Sequence, residues 1–237
     1  MSETGHLVVD LFPGWGFLSQ PWSEAGFPVL WGPDLCFSET VEGWHLPEGL
    51  AWGIVSGIPC QLFSVARLPH ADEPPALQHR NMTRQVERVI SEARPIWYLT
   101  ENVRQAPIPV VEGYKVQALL LDSADFGCAQ SRVRRFTFGS RNGAQLGVPE
   151  TTGRTEDPDP CLTAPRGGGF TRSAFERQRG RRLKISDLLR GVGLPEDTPT
   201  PWPLKKNDGW GQMLANAVPL SVGRVLRDAI LKAMKGL

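Results

Sequence analysis

Leu7-Val8-Val9-Asp10-Leu11-Phe12-Pro13-Gly14-Trp15-Gly16 decides how this chain is read. A short apolar run stops at a proline, and two glycines follow one residue apart, a pattern that predicts strand, glycine turn and helix. Glycine lets the backbone approach a ligand closely, and the first turn of a helix offers unpaired N–H groups. Outward from this stretch, Val29-Leu30-Trp31 predicts a second strand ending at Asp34, and Ala51–Ser56 a third before a Gly-Ile-Pro turn. Residues 76–93 have helical spacing with a polar face, Pro95 ends that helix, and Ile96–Thr100 predicts a fourth strand. Strands alternating with helices imply an α/β fold with a parallel sheet covered on both faces. An acid about 20 residues beyond such a glycine turn is placed to take ribose hydroxyls, which makes Asp34 a candidate for a nucleoside cofactor. Taken alone the turn is a weak signal, because Gly-x-Gly is common and the third glycine of a dinucleotide fingerprint is absent.

The second half reads differently. Tyr114–Leu121 and Arg135–Gly139 predict strands with no long helix between them, and residues 141–181 are rich in Gly, Pro, Thr and Arg with little periodicity. A short helix is expected over 183–190, a Pro-rich connector over 195–203, and an amphipathic helix from Val218 to Met234 that packs beside the N-terminal strand. The 237 residues, 41% of them hydrophobic and 22% charged, suffice for a buried core, and the net charge of +1 announces no polyanion partner by itself. No apolar run reaches the roughly 18 residues of a membrane span, and the N-terminus lacks the layout of a signal peptide, so a cytoplasmic protein is expected. Cys36, Cys60, Cys128 and Cys161 form no Cys-x-x-Cys pair and no His stands at zinc spacing, so no metal is expected and most of these thiols read as packing residues.

Cys60 is set apart by its place. Gly57-Ile58-Pro59-Cys60-Gln61-Leu62-Phe63-Ser64 follows the third strand, on a loop at the carboxyl edge of the sheet, where open α/β folds bind ligands. Thr100-Glu101-Asn102-Val103 ends the fourth strand at the same edge. A Cys and a Glu at adjacent strand ends suggest a nucleophile and an acid.

With these residues in view the sequence resembles the DNA cytosine-C5 methyltransferase family. Asp10–Gly16 resembles the family's first cofactor motif, Pro59-Cys60-Gln61-x-Phe63-Ser64 its nucleophile loop, Glu101-Asn102-Val103 its Glu-Asn-Val motif and Gln130-Ser131-Arg132-Val133-Arg134 its Gln-x-Arg-x-Arg motif. Arg182–Gly191 with Leu194-Pro195 resembles its penultimate motif, and Gln212–Pro219 its last, all in the family's order. The resemblance implies a Rossmann-like fold for S-adenosylmethionine with a mixed, mostly parallel sheet, divided into a catalytic and cofactor-binding domain (1–140), a reduced basic target-recognition lobe (141–181) and a C-terminal segment (182–237). It implies Cys60 as nucleophile toward C6 of a flipped-out cytosine, Glu101 as the acid at N3, Arg132 and Arg134 as its orienting partners, and Gln61 in the loop that fills the gap. Asp10, Phe12, Gly14, Trp15, Gly16, Asp34, Leu35, Pro59, Asn216 and Val218 are implied at the cofactor, S-adenosylmethionine, whose product is S-adenosylhomocysteine. Ser64, Gln130, Arg166, Arg172, Arg177, Arg179 and Arg181 are implied at nucleic acid, the arginines because phosphate contact needs charge and no base code. Within 166–184 only Glu176 opposes that charge.

The sequence also departs from the pattern. Pro13 and Phe17 replace small residues, Asp34 stands for a Glu, Cys36 for a second acid, Ala215 for a Gly, and no clear Gly-Asp-Ile motif precedes Pro59; Gly43-Trp44-His45-Leu46 is the nearest piece. Residues 104–113 are too short and proline-rich for the helix that usually follows Glu-Asn-Val. The interval from Ser140 to Arg181 leaves little room for a recognition domain, which implies short or relaxed sequence specificity. A monomer acting on DNA, at the nucleoid, in a restriction–modification or phage-borne setting is the resulting expectation. The residues leave other readings open: an RNA (tRNA) methyltransferase of the same architecture, an inactive relative that binds nucleic acid, and transfer of a different group. Arg132 and Arg134 also suit solvated strand positions, and Asn216 also suits a helix cap.

Overall fold

A computed structural model describes residues 5–35, 38–60, 62–63, 81–162, 169–201 and 209–235, and within 169–173 the backbone alone. Its centre is a sheet of β1 (Val8–Leu11), β2 (Val29–Trp31), β3 (Gly53–Gly57), β4 (Trp97–Asn102), β5 (Lys115–Asp122) and β6 (Val133–Ser140), ordered β2-β1-β3-β4-β6-β5. β1 pairs in parallel with β2 and β3, and β3 with β4, whereas β6 runs antiparallel to β4. The sheet is therefore mixed and mostly parallel, as the resemblance implies. The helices are α1 (Gln20–Glu24), α2 (Thr83–Ala93), α3 (Gly169–Arg179), α4 (Ile185–Val192), α5 (Gly211–Asn216) and α6 (Leu220–Met234).

The inner parallel strands β1, β3 and β4 are buried along almost their whole length, and alternation along them sorts what covers each face. Val9, Leu11, Ile54 and Tyr98 face α2, which buries Val86, Val89, Ile90 and Ala93 against them. Asn81 caps the start of α2 by accepting from the Thr83 N–H at 3.0 Å, and Arg94, left-handed at φ 47°, ends it before Pro95. On the other face Trp97 stacks on Trp22 of α1 with ring centroids 4.9 Å apart. α6 lies against α1: a side chain at Gly223 would meet Pro21 Cγ at 2.9 Å, and Arg224 forks onto Glu24 at 2.8 and 2.9 Å. The described contacts of α6 are thus with the helix that follows β1.

Two glycines make room for aromatic rings on neighbouring strands. Gly53 is in register with Trp97 and Gly139 with Tyr98, and a Cβ at either would fall 2.1 Å from a ring carbon. The chain divides into two compact units, Met1–Leu120 with Arg134–Val148 and Gly223–Leu237, and Leu121–Val133 with Pro149–Val222. Two elements differ from their sequence reading. α3 occupies part of the stretch expected to be irregular, because its Arg, Glu and Gln side chains are good helix formers and its end is anchored by Arg179, which bonds Asp157 and Asp159. α5 is too short for a periodic signal. Residues 76–80 of the helix expected over 76–93 lie outside the described residues.

Gly139→Ala is expected to lower the free energy of unfolding by roughly 1–3 kcal/mol, because the Tyr98 ring has no room to withdraw in a close-packed core. Urea denaturation of both proteins checks it: the midpoint should fall at unchanged slope.

Candidate active site

The parallel register brings three strand ends to one edge. Leu11 is level with Ser56, Ser56 with Thr100 and Gly57 with Glu101. The glycine turn leaves β1, the Cys60 loop leaves β3 and the Glu-Asn-Val segment ends β4, all within the first unit.

The glycine turn is built around left-handed backbone. Phe12, Gly14 and Gly16 have φ of 58°, 55° and 75°. A non-glycine residue at positive φ costs energy and marks a shape held by its surroundings; here the Phe12 N–H donates to the Pro33 carbonyl at 3.3 Å. Gly16 is needed twice over, since a Cβ there would also run into the Trp31 indole at 2.5 Å. Asp34, buried, accepts from the Gly14 N–H at 2.8 Å, so the loop after β2 holds the turn after β1. Trp15 is half-buried, and Trp31 and Leu35 are exposed.

Asp10 lies on the face of β1 level with Val55, fully buried. Its Oδ2 accepts from the Ser19 hydroxyl at 2.5 Å, while Oδ1 has no partner. Burial raises its pKa from 3.8 to about 7; the Ser19 bond opposes the rise and the Asp34 charge adds to it. Ser19 is a residue the motif reading missed, since nothing in its spacing from Asp10 marks it.

Cys60 is half-buried, and its carbonyl accepts from Phe63 N at 2.9 Å, closing a turn at the head of the loop. Pro59 is half-buried beside it in sequence. Glu101 is 7% exposed and pairs with Arg134, Oε1 to Nε at 3.2 Å. The pairing follows from the antiparallel register: Glu101 faces Phe136, so Arg134, two residues before Phe136, is its diagonal neighbour on the same face.

In the second unit Arg132 is buried, and its Nη1 donates to the Ala215 carbonyl at 2.7 Å and approaches the Leu162 carbonyl at 3.4 Å. Arg132 and Arg134 are therefore not solvated strand positions. Asn216, the exposed last residue of α5, stands four residues ahead of α6 and does not cap it; Val218 is buried.

Three of the residues implied at nucleic acid have internal partners. Gln130 is 2% exposed, and its amide accepts from Leu162 N at 3.0 Å and donates to the Gly191 carbonyl at 2.5 Å, so it braces the unit's interior. Arg179 bonds Asp159 at 2.6 Å and Asp157 at 2.5 Å, and Arg181 forks onto Asp187 at 2.6 and 2.8 Å. Asp159 and Asp187 are buried and share Arg190 as well. Counting charge within 166–184 omitted these acids, which come from outside that window. Arg177 is exposed. Gln61, Ser64, Arg166 and Cys36 lie outside the described residues, as does the side chain of Arg172. Among the described residues no helix is long and apolar enough to cross a membrane, and no group of three His, Cys, Asp or Glu is placed to hold a metal.

Residues 40–107 and 111–165 match the family model described as C-5 cytosine-specific DNA methylase, more than half of the chain. The chain belongs to that family. Among its relatives, the type II methyltransferase M.XorII of Xanthomonas oryzae pv. oryzae is 28% identical over 242 residues, covering 83% of this chain and 55% of the relative. M.HgiDI of Herpetosiphon aurantiacus is 28% identical over 171 residues, covering 58% and 53%. The chain thus spans about half the length of the curated relatives it matches. Two solved structures show the same fold at low identity. The Entamoeba histolytica methyltransferase EhMeth superposes with a TM-score of 0.68 at 12% identity, covering 98% of this chain and 100% of that one. A Spodoptera frugiperda DNMT2 mutant gives 0.63 at 15%, covering 96% and 100%.

The raised Asp10 value fixes the sign of a pH effect. An acid whose folded pKa lies above its unfolded value of 3.8 contributes stability that is complete below 3.8 and lost as pH rises through about 7. Above that, keeping Asp10 ionised and buried costs on the order of 4 kcal/mol. Asp10→Asn should therefore flatten the fall in unfolding free energy between pH 5 and pH 8, measured by denaturant titration; an unchanged slope would show that Asp10 is ionised throughout.

Proposed function

We propose that this chain is a DNA (cytosine-5-)-methyltransferase that uses S-adenosylmethionine and attacks a flipped-out cytosine with Cys60. The observation that carries the reading is the Glu101–Arg134 pair, held level with Gly57 at the strand end from which the Cys60 loop departs. A buried Glu–Arg pair at the strand edge from which the loop of a half-buried thiol departs suits base-directed addition and has no evident use in a passive binding surface.

The residues at the turn fit the cofactor. A glycine whose side-chain space is closed by Trp31, a Gly14 N–H fixed by Asp34, and aromatic surface from Trp15 and Trp31 make a cradle for a nucleoside with an apolar base and a polar sugar. Asp10, Phe12 and Leu35 belong to the same turn and the loop after β2, and Pro59, Asn216 and Val218 are assigned to this cofactor on motif grounds. When bound, S-adenosylmethionine supplies an electrophilic methyl group.

The chain's own residues prepare the base to receive it. Cytosine C5 is a poor nucleophile, and the thiolate form of Cys60 remedies this by adding to C6, which places electron density at C5. Glu101 hydrogen-bonds N3 and shares a proton with it as ring charge builds. Arg134 holds the Glu101 carboxyl in place, so little reorganisation is needed at the moment of addition. Arg132 fixes the segment before Asn216 through the Ala215 carbonyl. After C5 is methylated its proton leaves to water or a base, the Cys60–C6 bond breaks, and the thiolate is restored. Gln61 is assigned to the space the flipped base vacates.

DNA is proposed as substrate because the relatives are named type II methyltransferases, a setting of restriction and modification. The interval around α3 serves as a small target-recognition lobe with short or relaxed specificity, in which Arg177 touches phosphate while Arg179 and Arg181 hold the lobe together.

Nucleosides from DNA of cells expressing the protein should contain 5-methylcytosine, measured by mass spectrometry, and Cys60→Ala should abolish it. Modification confined to RNA would overturn the substrate, and equal product from Cys60→Ala would overturn the nucleophile.

A further inference from the structure

Residues 104–111 follow Glu101-Asn102-Val103 and contain no helix or strand. Pairing of β4 ends there: Glu101 is the last residue in register with β3, opposite Gly57, and Asn102 the last in register with β6, opposite Arg135. Over residues 103–107 the hydrogen bonds to the main chain among the described residues are a turn, Ala106 N to the Val103 carbonyl at 3.1 Å, and those made by side chains. A strand end of this kind frays unless something fixes the chain that leaves it.

Arg135 does so. Its Nη1 donates to the Arg104 carbonyl at 2.7 Å, and its Nη2 to the Ala106 carbonyl and to the Pro107 carbonyl at 3.1 Å. Among the described residues no carboxylate pairs with this half-buried guanidinium; its partners are main-chain oxygens, and burial lowers its pKa from the usual value. A guanidinium carries five N–H donors in a rigid fork, which suits three carbonyls spread over four residues, whereas an ammonium is a single point. Alternation along β6 puts Arg134 and Arg135 on opposite faces. One dipeptide therefore takes hold of both the acid and the loop behind it: Arg134 grips the Glu101 side chain, and Arg135 grips the main chain that leaves β4.

We propose that Arg135 is a positioning residue for Glu101, clamping residues 104–107 through their carbonyls so that the end of β4 keeps the acid in place for the base. It rests on the functional reading above, and adds a residue outside the Gln-x-Arg-x-Arg pattern, whose arginines are Arg132 and Arg134. Arg135 replaces, with three hydrogen bonds, the support a following helix would give.

Arg135→Ala and Arg135→Lys test it in the full chain. Misplacing Glu101 should lower kcat roughly 10- to 100-fold while cofactor affinity, read by calorimetry with S-adenosylhomocysteine, stays within about twofold. Guanidinium ion at millimolar concentration should restore part of the rate of Arg135→Ala and none of the rate of Glu101→Gln, and Lys should rescue little. A second readout does not need activity. Amide exchange across 101–106 should quicken roughly tenfold in Arg135→Ala, return toward wild type with guanidinium, and leave β1 and β3 unchanged. Unaltered exchange there, or equal loss of cofactor binding and kcat with no rescue, would overturn the proposal. A wild-type protein that modifies no nucleic acid would instead count against the functional reading, with the exchange measurement still deciding whether Arg135 holds the loop.

Discussion

Parallel pairing of β1, β3 and β4 is the constraint from which the candidate site follows. Parallel strands deliver their carboxyl ends to a single edge, so the glycine turn, the Cys60 loop and Glu101 leave the sheet side by side whatever the sequence of the connections. The reversal at β6 then adds what a parallel neighbour would not. Running back along β4, it starts level with the end of β4, so its first arginines lie beside Glu101 and the loop that follows it. A carboxylate one residue from the end of β4 and guanidinium groups at the start of β6 are close in the sheet, and few bonds are needed to fix them.

Both units keep polar groups in their interiors. Asp10, Glu101, Asn102 and Arg132 are all buried, and each such group costs free energy unless it is answered. Most are: Glu101 by Arg134, Arg132 by carbonyls, and Asp159 and Asp187 by three arginines between them. Ion pairs of this kind add little net stability, but removing one partner leaves a charge stranded, so they specify where segments sit more than how firmly the chain folds. Asp10 keeps one oxygen without a hydrogen-bond partner among the described residues and has its pKa raised to about 7, and it stands at the foot of the turn proposed for the cofactor.

Much of this was legible before any coordinates. The strands were readable because each is a short run rich in apolar residues, and six such runs fall where six strands lie. Cys60 and Glu101 were readable because each stands just after such a run. What escaped the sequence depends on partners far along the chain. The charge of 166–184 looked unopposed because Asp157, Asp159 and Asp187 lie outside that window, and Gln130 looked like a surface residue because its amide partners, Leu162 and Gly191, are 32 and 61 residues away. Arg135 was invisible for a related reason: its partners are backbone carbonyls, which carry no residue identity.

In the proposed reaction Cys60 forms a covalent bond to the cytosine ring. Duplex DNA in which the target cytosine carries fluorine at C5 tests it directly, because fluorine cannot leave as a proton does and the adduct cannot resolve. Incubated with S-adenosylmethionine, the protein should form a complex that survives denaturation, and peptide mass spectrometry should place the modified base on Cys60. An adduct on another residue, or none while ordinary DNA gains 5-methylcytosine, would contradict the account.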